Sequence, residues 1–559
     1  MTCIPSLLQP ASDSELTRTT IQQPMQDVPA DAAVGPNRPP RKPRAFWMSF
    51  LAIGVATFLS ALDQTAVGTA LPTIATALND TDGNYIWVGS AYAMASTAFI
   101  PLSGSLANAF GRKPIMLLCI AFFAVGSALA GASQCMSMMI SARGIGGGGI
   151  LALTQILLAD LVPLSERGLF QGLIGVVWAF ASSVGPPIGG ALSSREKTTL
   201  WRWLFYLNLP LSGLAFVLVL RFLSVRRPEG STRSKLTQVD WVGNLIVVLG
   251  TVLALIGMTW GGIRYPWNSV EVAAPLVLGV IMFGVFILYE FKVPQHPTVP
   301  RDVVGNRTSL SGLLTTAAHS VVSMSVIYYL PVLFQASFGA SPLRSAVDYL
   351  PGSLVGAPCA FLAGSIVTMS KKYRPVNWAG WSITIVAFGL FSTIREDSAV
   401  WKWVLYQIIG AVGLGMLFSA PIFPILAPLP QNRAGSALAL FSFARALFQT
   451  WGITISGTIL QNMLQKKLPP AFTAQFPPGV EIAYTAIPLI KELEGPLQTD
   501  VERAFAESMA VIWQTMIGIS GLGLLLSLLM KEVPMGTTVD ENYALKEVAV
   551  EGAQKEYAA

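Results

Sequence analysis

Charge is what this chain lacks. Only 12% of its 559 residues are Asp, Glu, Lys or Arg, against about 25% in an ordinary soluble domain. So little charge cannot clothe a water-soluble body of this size. Histidine is scarcer still: His296 and His319 are the only two. A membrane-embedded enzyme or metal site calls for His, Asp or Cys clustered at helical spacing, which two histidines do not supply. The four cysteines, Cys3, Cys119, Cys135 and Cys359, follow no paired spacing, so neither a disulfide framework nor a metal site is expected. No phosphate-binding lysine follows a glycine-rich loop. Nucleotide-driven pumping therefore has no support in the residues.

What is present is apolar bulk. Hydrophobic residues make up 53% of the chain, and the mean hydropathy is +0.57. A helix needs about 20 apolar residues to cross the hydrocarbon core of a bilayer. The runs at 46–66, 86–106, 115–132, 136–160, 168–191, 204–223, 241–260, 273–291, 308–334, 346–368, 377–394, 401–426, 436–460 and 509–530 meet that need. The expectation is an all-α polytopic membrane protein with fourteen transmembrane helices. The excess of Lys and Arg gives a net charge of +6. On a soluble face that would suggest nucleic acid, but here the basic residues fall in short clusters between apolar runs. Arg112 and Lys113, Arg226 to Lys235, Lys292 to Arg307, and Lys371 to Arg374 then mark inside loops, which places both termini in the cytosol. Arg195, Lys197 and Arg202 oppose that orientation and are outweighed. Residues 1–45 are polar, rich in Pro, Ser and Thr, and read as a disordered cytosolic tail rather than a signal peptide.

Polar stretches divide the chain into an N-terminal six-helix bundle at 46–223, a region at 224–306 with two extra helices, and a C-terminal six-helix bundle at 307–530. A second cytosolic tail occupies 531–559. The two sixes resemble each other. Gly104-Ser105 leads to Arg112, Lys113 and Pro114, just as Gly364-Ser365 leads to Lys371, Lys372, Arg374 and Pro375. Paired halves of this kind place a substrate site between them, near the bilayer midplane. The segment 461–508 reads as an external loop, a tolerated surface insertion, with an interfacial helix within it as the alternative. The sequon at Asn79-Asp80-Thr81 faces outside but sits close to the first span.

Several motifs carry a family resemblance over residues 46–460 and the last span. Gly104 to Pro114 resembles the loop 2–3 signature of the major facilitator superfamily, and Arg143 with Gly146 to Gly149 resembles its span-four arginine motif. Gly185, Pro186, Gly189 and Gly190 lie in a stretch similar to the antiporter signature of its exporters. Leu62-Asp63-Gln64-Thr65, Trp201-Arg202-Trp203 with Asn208, and Tyr328 to Pro331 with Phe334-Gln335 resemble the fourteen-span drug:proton antiporters, above all fungal multidrug and toxin efflux pumps.

The resemblance implies two six-helix bundles with two extra helices between them, no cofactor, and a proton gradient as the driving force. It implies a multi-pass transporter working as a monomer in the plasma membrane, with a hydrophobic small molecule and protons as its partners besides the lipid. It also implies gating by Gly104, Asn108, Gly111, Arg112 and Lys113. Where the signature usually has an aspartate, this chain has Asn108. An amide hydrogen bond lacks charge assistance and is roughly half as strong, so a looser lock is expected.

Charges inside spans cost about 2.5–3.5 kcal/mol each on insertion scales, so each needs a reason. Asp63 is the candidate proton carrier, and the alternative is a permanent ion pair with Arg143 tying two spans together. Arg445 reads as a packing or gating residue. His319 reads as cavity lining or a satisfied core residue, and Gln335 is a further candidate for the cavity. Gly144, Gly146 and Gly149 match a dinucleotide fingerprint, yet they lie in an apolar run with no preceding strand and read instead as close-packing residues. Besides the exporter reading, a fourteen-span siderophore importer and a non-transporting sensor remain alternatives.

Overall fold

The computed structural model describes residues 42–78, 86–192, 199–225, 231–262, 265–294, 298–299, 301–476, 482–490, 492–493 and 495–536. Most of the expected tails, Asn79 to Thr81, Arg195, Lys197, Arg226, Arg227 and His296 lie outside the described residues. Among those residues the regular structure is helical throughout. The first eight helices are α1 (Arg44–Ala77), α2 (Ile86–Phe110), α3 (Arg112–Gly131), α4 (Met136–Gly146), α5 (Ile150–Leu161), α6 (Leu164–Leu192), α7 (Arg202–Tyr206) and α8 (Asn208–Phe222). The middle of the chain holds α9 (Thr232–Thr237), α10 (Trp241–Trp260), α11 (Val270–Lys292) and α12 (Arg301–Gly305). There follow α13 (Arg307–Ser337), α14 (Pro342–Ser370), α15 (Arg374–Phe391), α16 (Val400–Ser419), α17 (Ile422–Leu426), α18 (Ala434–Lys467), α19 (Pro470–Thr473), α20 (Ile482–Ile490) and α21 (Pro496–Leu528).

Counting the near-continuous pairs α4–α5, α7–α8 and α16–α17 as single spans, twelve of these helical runs are long and apolar enough to cross a membrane. Of the second and eleventh expected spans, α2 is helical over the whole expected range and α15 over 377–391 of the expected 377–394. They carry more Ser, Gly, Asn and Trp and do not reach that apolar content. Local chemistry sets several of the boundaries. Asn306 accepts from the Thr308 and Ser309 amides at the start of α13, at 2.9 and 3.3 Å. Ser341 accepts from the Arg344 amide at α14, where Pro342 occupies the first turn.

Packing separates two groups. In the first, α1 lies along α6 and α8, and α3 along α4 and α8. In the second, α13 packs on α18 and α21, α14 on α16, and α15 on α16 and α21. The hairpin α10–α11 leans on α2 and, more lightly, on α18, through Val247, Leu255 and Phe286 against Ile100, Phe443 and Leu447. Its outer surface exposes Leu278, Val280, Ile281, Ile287 and Leu288, an apolar face suited to lipid.

Two expectations are corrected. The run 136–160 is not one helix: it breaks at Gly147–Gly149, and Gly149 lies outside the helices flanking the break. The reason is close approach to α2. A Cβ on Gly147 would stand 2.8 Å from the Tyr92 carbonyl, and one on Gly149 would stand 2.4 Å from the Ser103 hydroxyl. The segment 461–508 is not a plain loop either. It contains the end of α18, then α19 and α20, and the first turns of α21, with Phe472, Ile482 and Ile490 buried in the core of the second group.

At the end carrying the α2–α3 turn, the residues after α21 run as a strap. The Val533 amide donates to the Tyr373 hydroxyl and the Tyr373 amide to Glu532 Oε1, each at 3.1 Å. The Tyr373 hydroxyl donates to the Lys531 carbonyl. The Ser165 amide, in the first turn of α6, donates to the Gly536 carbonyl at 3.2 Å. Burial pushes the Tyr373 phenol up to about 12, so it serves as a neutral donor at physiological pH.

Candidate functional site

Asp63 stands near the middle of α1 and finds protein partners for both carboxylate oxygens. Its Oδ2 lies 2.6 Å from Arg143 Nη1 of α4, and its Oδ1 accepts from Asn208 Nδ2 of α8 at 2.8 Å. Asn208 also reaches Ser127 Oγ of α3 at 3.3 Å. Arg143 is held further by the Val88 carbonyl of α2 at 3.0 Å, and its guanidinium lies over the Tyr92 ring at 4.5 Å. The Tyr92 hydroxyl in turn meets Ser60 Oγ at 3.1 Å. Asp63, Arg143, Asn208 and Tyr92 are each at most 4% exposed. A buried charge is tolerated only when paired and fully hydrogen-bonded, and both carboxylate oxygens here are occupied. One network therefore joins α1, α2, α3, α4 and α8.

The second feature is a closed interface at the α2–α3 end. There α6 crosses α14 so tightly that a Cβ on Gly168 would stand 2.2 Å from the Gly364 carbonyl, and the reverse holds equally. One turn further, a Cβ on Gly172 would meet Phe361 at 2.5 Å. On the other flank, a Cβ on Gly104 of α2 would meet that of Ala439 on α18 at 2.6 Å. Asn108 Nδ2 donates to Ser436 Oγ at 3.3 Å, in the first turn of α18. Gly111 has φ of 93°, a left-handed conformation that lets the chain turn directly into α3. Arg112 is 2% exposed; its Nε lies 2.7 Å from Asp160 Oδ2 of α5, and its Nη1 donates to the Ala107 carbonyl. Lys113 donates to the Leu220 carbonyl at 2.7 Å, near the end of α8.

The other sequence candidates lie apart from these two features. Gly185 of α6 faces α1, where a Cβ would stand 2.2 Å from Thr65 Oγ1, whereas Gly190 has open space beside it. Pro186 and Gly189 lie within α6, which remains helical across the whole motif. Gln335 donates to Ser345 Oγ of α14 at 3.1 Å, near the opposite end of α13. His319 Nε2 sits 3.0 Å from the Leu414 carbonyl of α16. Arg445 donates to the Phe418 carbonyl at 2.8 Å, its guanidinium between the Phe418 and Phe441 rings.

The profile of the Major Facilitator Superfamily matches residues 53–453. The chain belongs to the major facilitator superfamily. It is similar to Efflux pump FUS6 of Gibberella moniliformis, 34% identical over 519 residues that cover 91% of each chain. It is equally similar to MFS-type efflux pump LUC4 of a Fusarium species, 34% identical with 91% of each chain covered. The Acurin A biosynthesis cluster MFS-type transporter of Aspergillus aculeatus is also 34% identical, over 91% of this chain and 93% of that one. Among solved structures, the human organic anion transporter MFSD10 aligns with a TM-score of 0.57 at 14% identity, covering 87% of this chain and all of that one. The proton:xylose symporter XylE aligns with a TM-score of 0.56 at 13% identity, covering 91% and 99%. At such identities these two speak for the fold.

This major facilitator superfamily chain is therefore a multi-pass membrane transporter of a small molecule, not an enzyme. Sequence reasoning missed Asp160, which partners Arg112, although a carboxylate closing an apolar run was a visible signal. It named Asn208 only as part of a motif and did not place it on Asp63. Ser436 and Tyr92 carried no local signal at all.

Proposed function

We propose that the chain is a proton-coupled efflux transporter for a hydrophobic or amphipathic small molecule, such as a toxin or secondary metabolite. It works by alternating access and needs no cofactor. The relatives named as efflux pumps support the outward direction. The observation that carries the coupling is the Asp63 carboxylate, buried and neutralised by Arg143 while also holding Asn208. A proton on Oδ2 cancels the charge attraction to Arg143. Arg143 keeps the Val88 carbonyl and the Tyr92 and Phe205 rings, and Oδ1 still accepts from Asn208, so it is the tie between α1 and α4 that loosens. Release of the proton restores it. Proton loading is thereby linked to the packing of α1, whose Thr65 lies against Gly185 of the antiporter motif.

In this reading the closed α2–α3 end is cytosolic, and the opposite end releases substrate. The fourteen expected spans divide as 46–223, 224–306 and 307–530, both termini are cytosolic, and the protein acts as a monomer in the plasma membrane. One proton falling through 100 mV releases about 2.3 kcal/mol. One pH unit adds about 1.4 kcal/mol, so together they sustain a gradient of roughly several hundred-fold. The test is export from reconstituted vesicles with simultaneous recording of proton flux. Export should collapse with a protonophore, and Asp63→Asn at equal protein density should abolish the coupled flux. Export that ignores the protonophore overturns the coupling, and full coupled flux in Asp63→Asn removes Asp63 as the carrier.

A further inference from the structure

Arg445 stands out for the partner it lacks. It lies in α18, nine residues beyond Ser436, which at 1.5 Å per residue is about 14 Å from the closed end. It is half-buried. Among the described residues no carboxylate pairs with it, in contrast to Arg112 and Arg143. Two phenylalanine rings flank its guanidinium at 4.5 and 4.6 Å, one nitrogen holds the Phe418 carbonyl, and Nε has no partner.

Beside it, His319 is 4% exposed and meets the Leu414 carbonyl, one turn of α16 from the Phe418 carbonyl that Arg445 holds. A carbonyl only accepts, so the contact with Leu414 requires the hydrogen on Nε2 and leaves the other ring nitrogen with a lone pair. That Nδ1 is buried without a partner. One turn nearer the closed end, the Ser442 hydroxyl is also buried and unpartnered. The place is at the seam of the two groups, because the Phe418 ring lies 3.5 Å from where a Cβ on Gly175 of α6 would stand. An unneutralised cation in an apolar setting is costly unless an anion visits it.

We infer that Arg445, His319 and the flanking Phe418 and Phe441 rings form an anion subsite for the transported molecule. The substrate class is then an apolar compound bearing one acidic group, a carboxylate or an acidic enol. The acid oxygen accepts from Arg445 Nε, a neighbouring hydroxyl donates to His319 Nδ1, and the apolar body lies along the aromatic rings. This rests on the transport reading above and narrows its substrate.

Equilibrium binding to the purified full-length protein, with no gradient imposed, separates the two claims. The probes are a panel of aromatic and aliphatic carboxylic acids, each paired with its methyl ester. At least one acid should bind more tightly than its ester. Arg445→Gln should weaken that acid by about tenfold to a hundredfold, the range of one charge-assisted hydrogen bond, and weaken the ester, a neutral acceptor, far less. Arg445→Lys should retain most of the acid's advantage. Thermal melts matching the parent protein show that the variants are folded. The inference is overturned if no acid in the panel outbinds its ester, or if Arg445→Gln weakens acid and ester alike. Acid-selective binding without proton-driven export would sink the coupling and leave the subsite standing.

Discussion

Gly364 of α14 offers a direct handle on the conformational cycle. A Cβ at that position would stand 2.2 Å from the Gly168 carbonyl, whereas unstrained contacts lie at about 3.5 Å. Gly364→Ala therefore forces α6 and α14 apart by roughly 1.3 Å, and Gly364→Leu by more. Overpacking of this kind costs about 1–3 kcal/mol where neighbours cannot yield. Here the obstacle is backbone: the Gly168 carbonyl and its Cα. The strain exists only while this end is closed, so it moves the closed-to-open equilibrium by about 5- to 150-fold. Spin labels at Arg221→Cys and Ser370→Cys, both exposed at this end, report the opening once the native cysteines are replaced. Gly364→Leu should shift the distance distribution to longer values, and Gly364→Ala should do so partially. An unchanged distribution in well-folded Gly364→Leu protein would refute the claim that this crossing is what shuts the interface.

Three further outcomes are expected. Asp63→Asn leaves Arg143 buried with an amide and should cost about 3 kcal/mol of stability, whereas Asp63→Asn combined with Arg143→Gln should recover most of it; thermal melts of the purified proteins decide. Asp160→Asn should destabilise by about 3–5 kcal/mol, because Arg112 stays buried beside a neutral amide in place of its carboxylate, and chemical denaturation of the two forms measures it. Asn108→Asp places a carboxylate at the first turn of α18, where a charge is worth about 0.3–1 kcal/mol, so the Arg221–Ser370 distance should narrow toward the closed value. No change in that distance would mean that the missing charge is irrelevant to closure.

The helices that were legible end to end are those whose boundaries are written locally. For α10, the expected range and the observed Trp241–Trp260 coincide, since Asp240 caps the first turn by accepting from the Gly243 amide and Gly261 stands at its end. By contrast, α1 overruns its expected end by about three turns: its later residues are still helix-compatible, and bilayer thickness limits the apolar run rather than the helix. The break at Gly147–Gly149 was hidden for a different reason. Its cause is the α2 backbone, far away in sequence, which occupies the space side chains would need. At the site, Asp63 and Arg143 were legible because ionised groups in an apolar run demand an explanation, and they do meet. The partnership of Asn108 with Ser436 was not, because it spans 328 residues and depends on how the two groups of helices come together.

The strap of residues 531–536 bears on how the molecule comes into being. It is made after the last long helix, and only then can Gly536 accept from Ser165 while Tyr373 gathers Lys531, Glu532 and Val533. During synthesis every helix can be in place while this clasp is still missing. The α2–α3 end can thus first close on its helix crossings and the Asn108–Ser436 contact, with the strap fastening it afterwards.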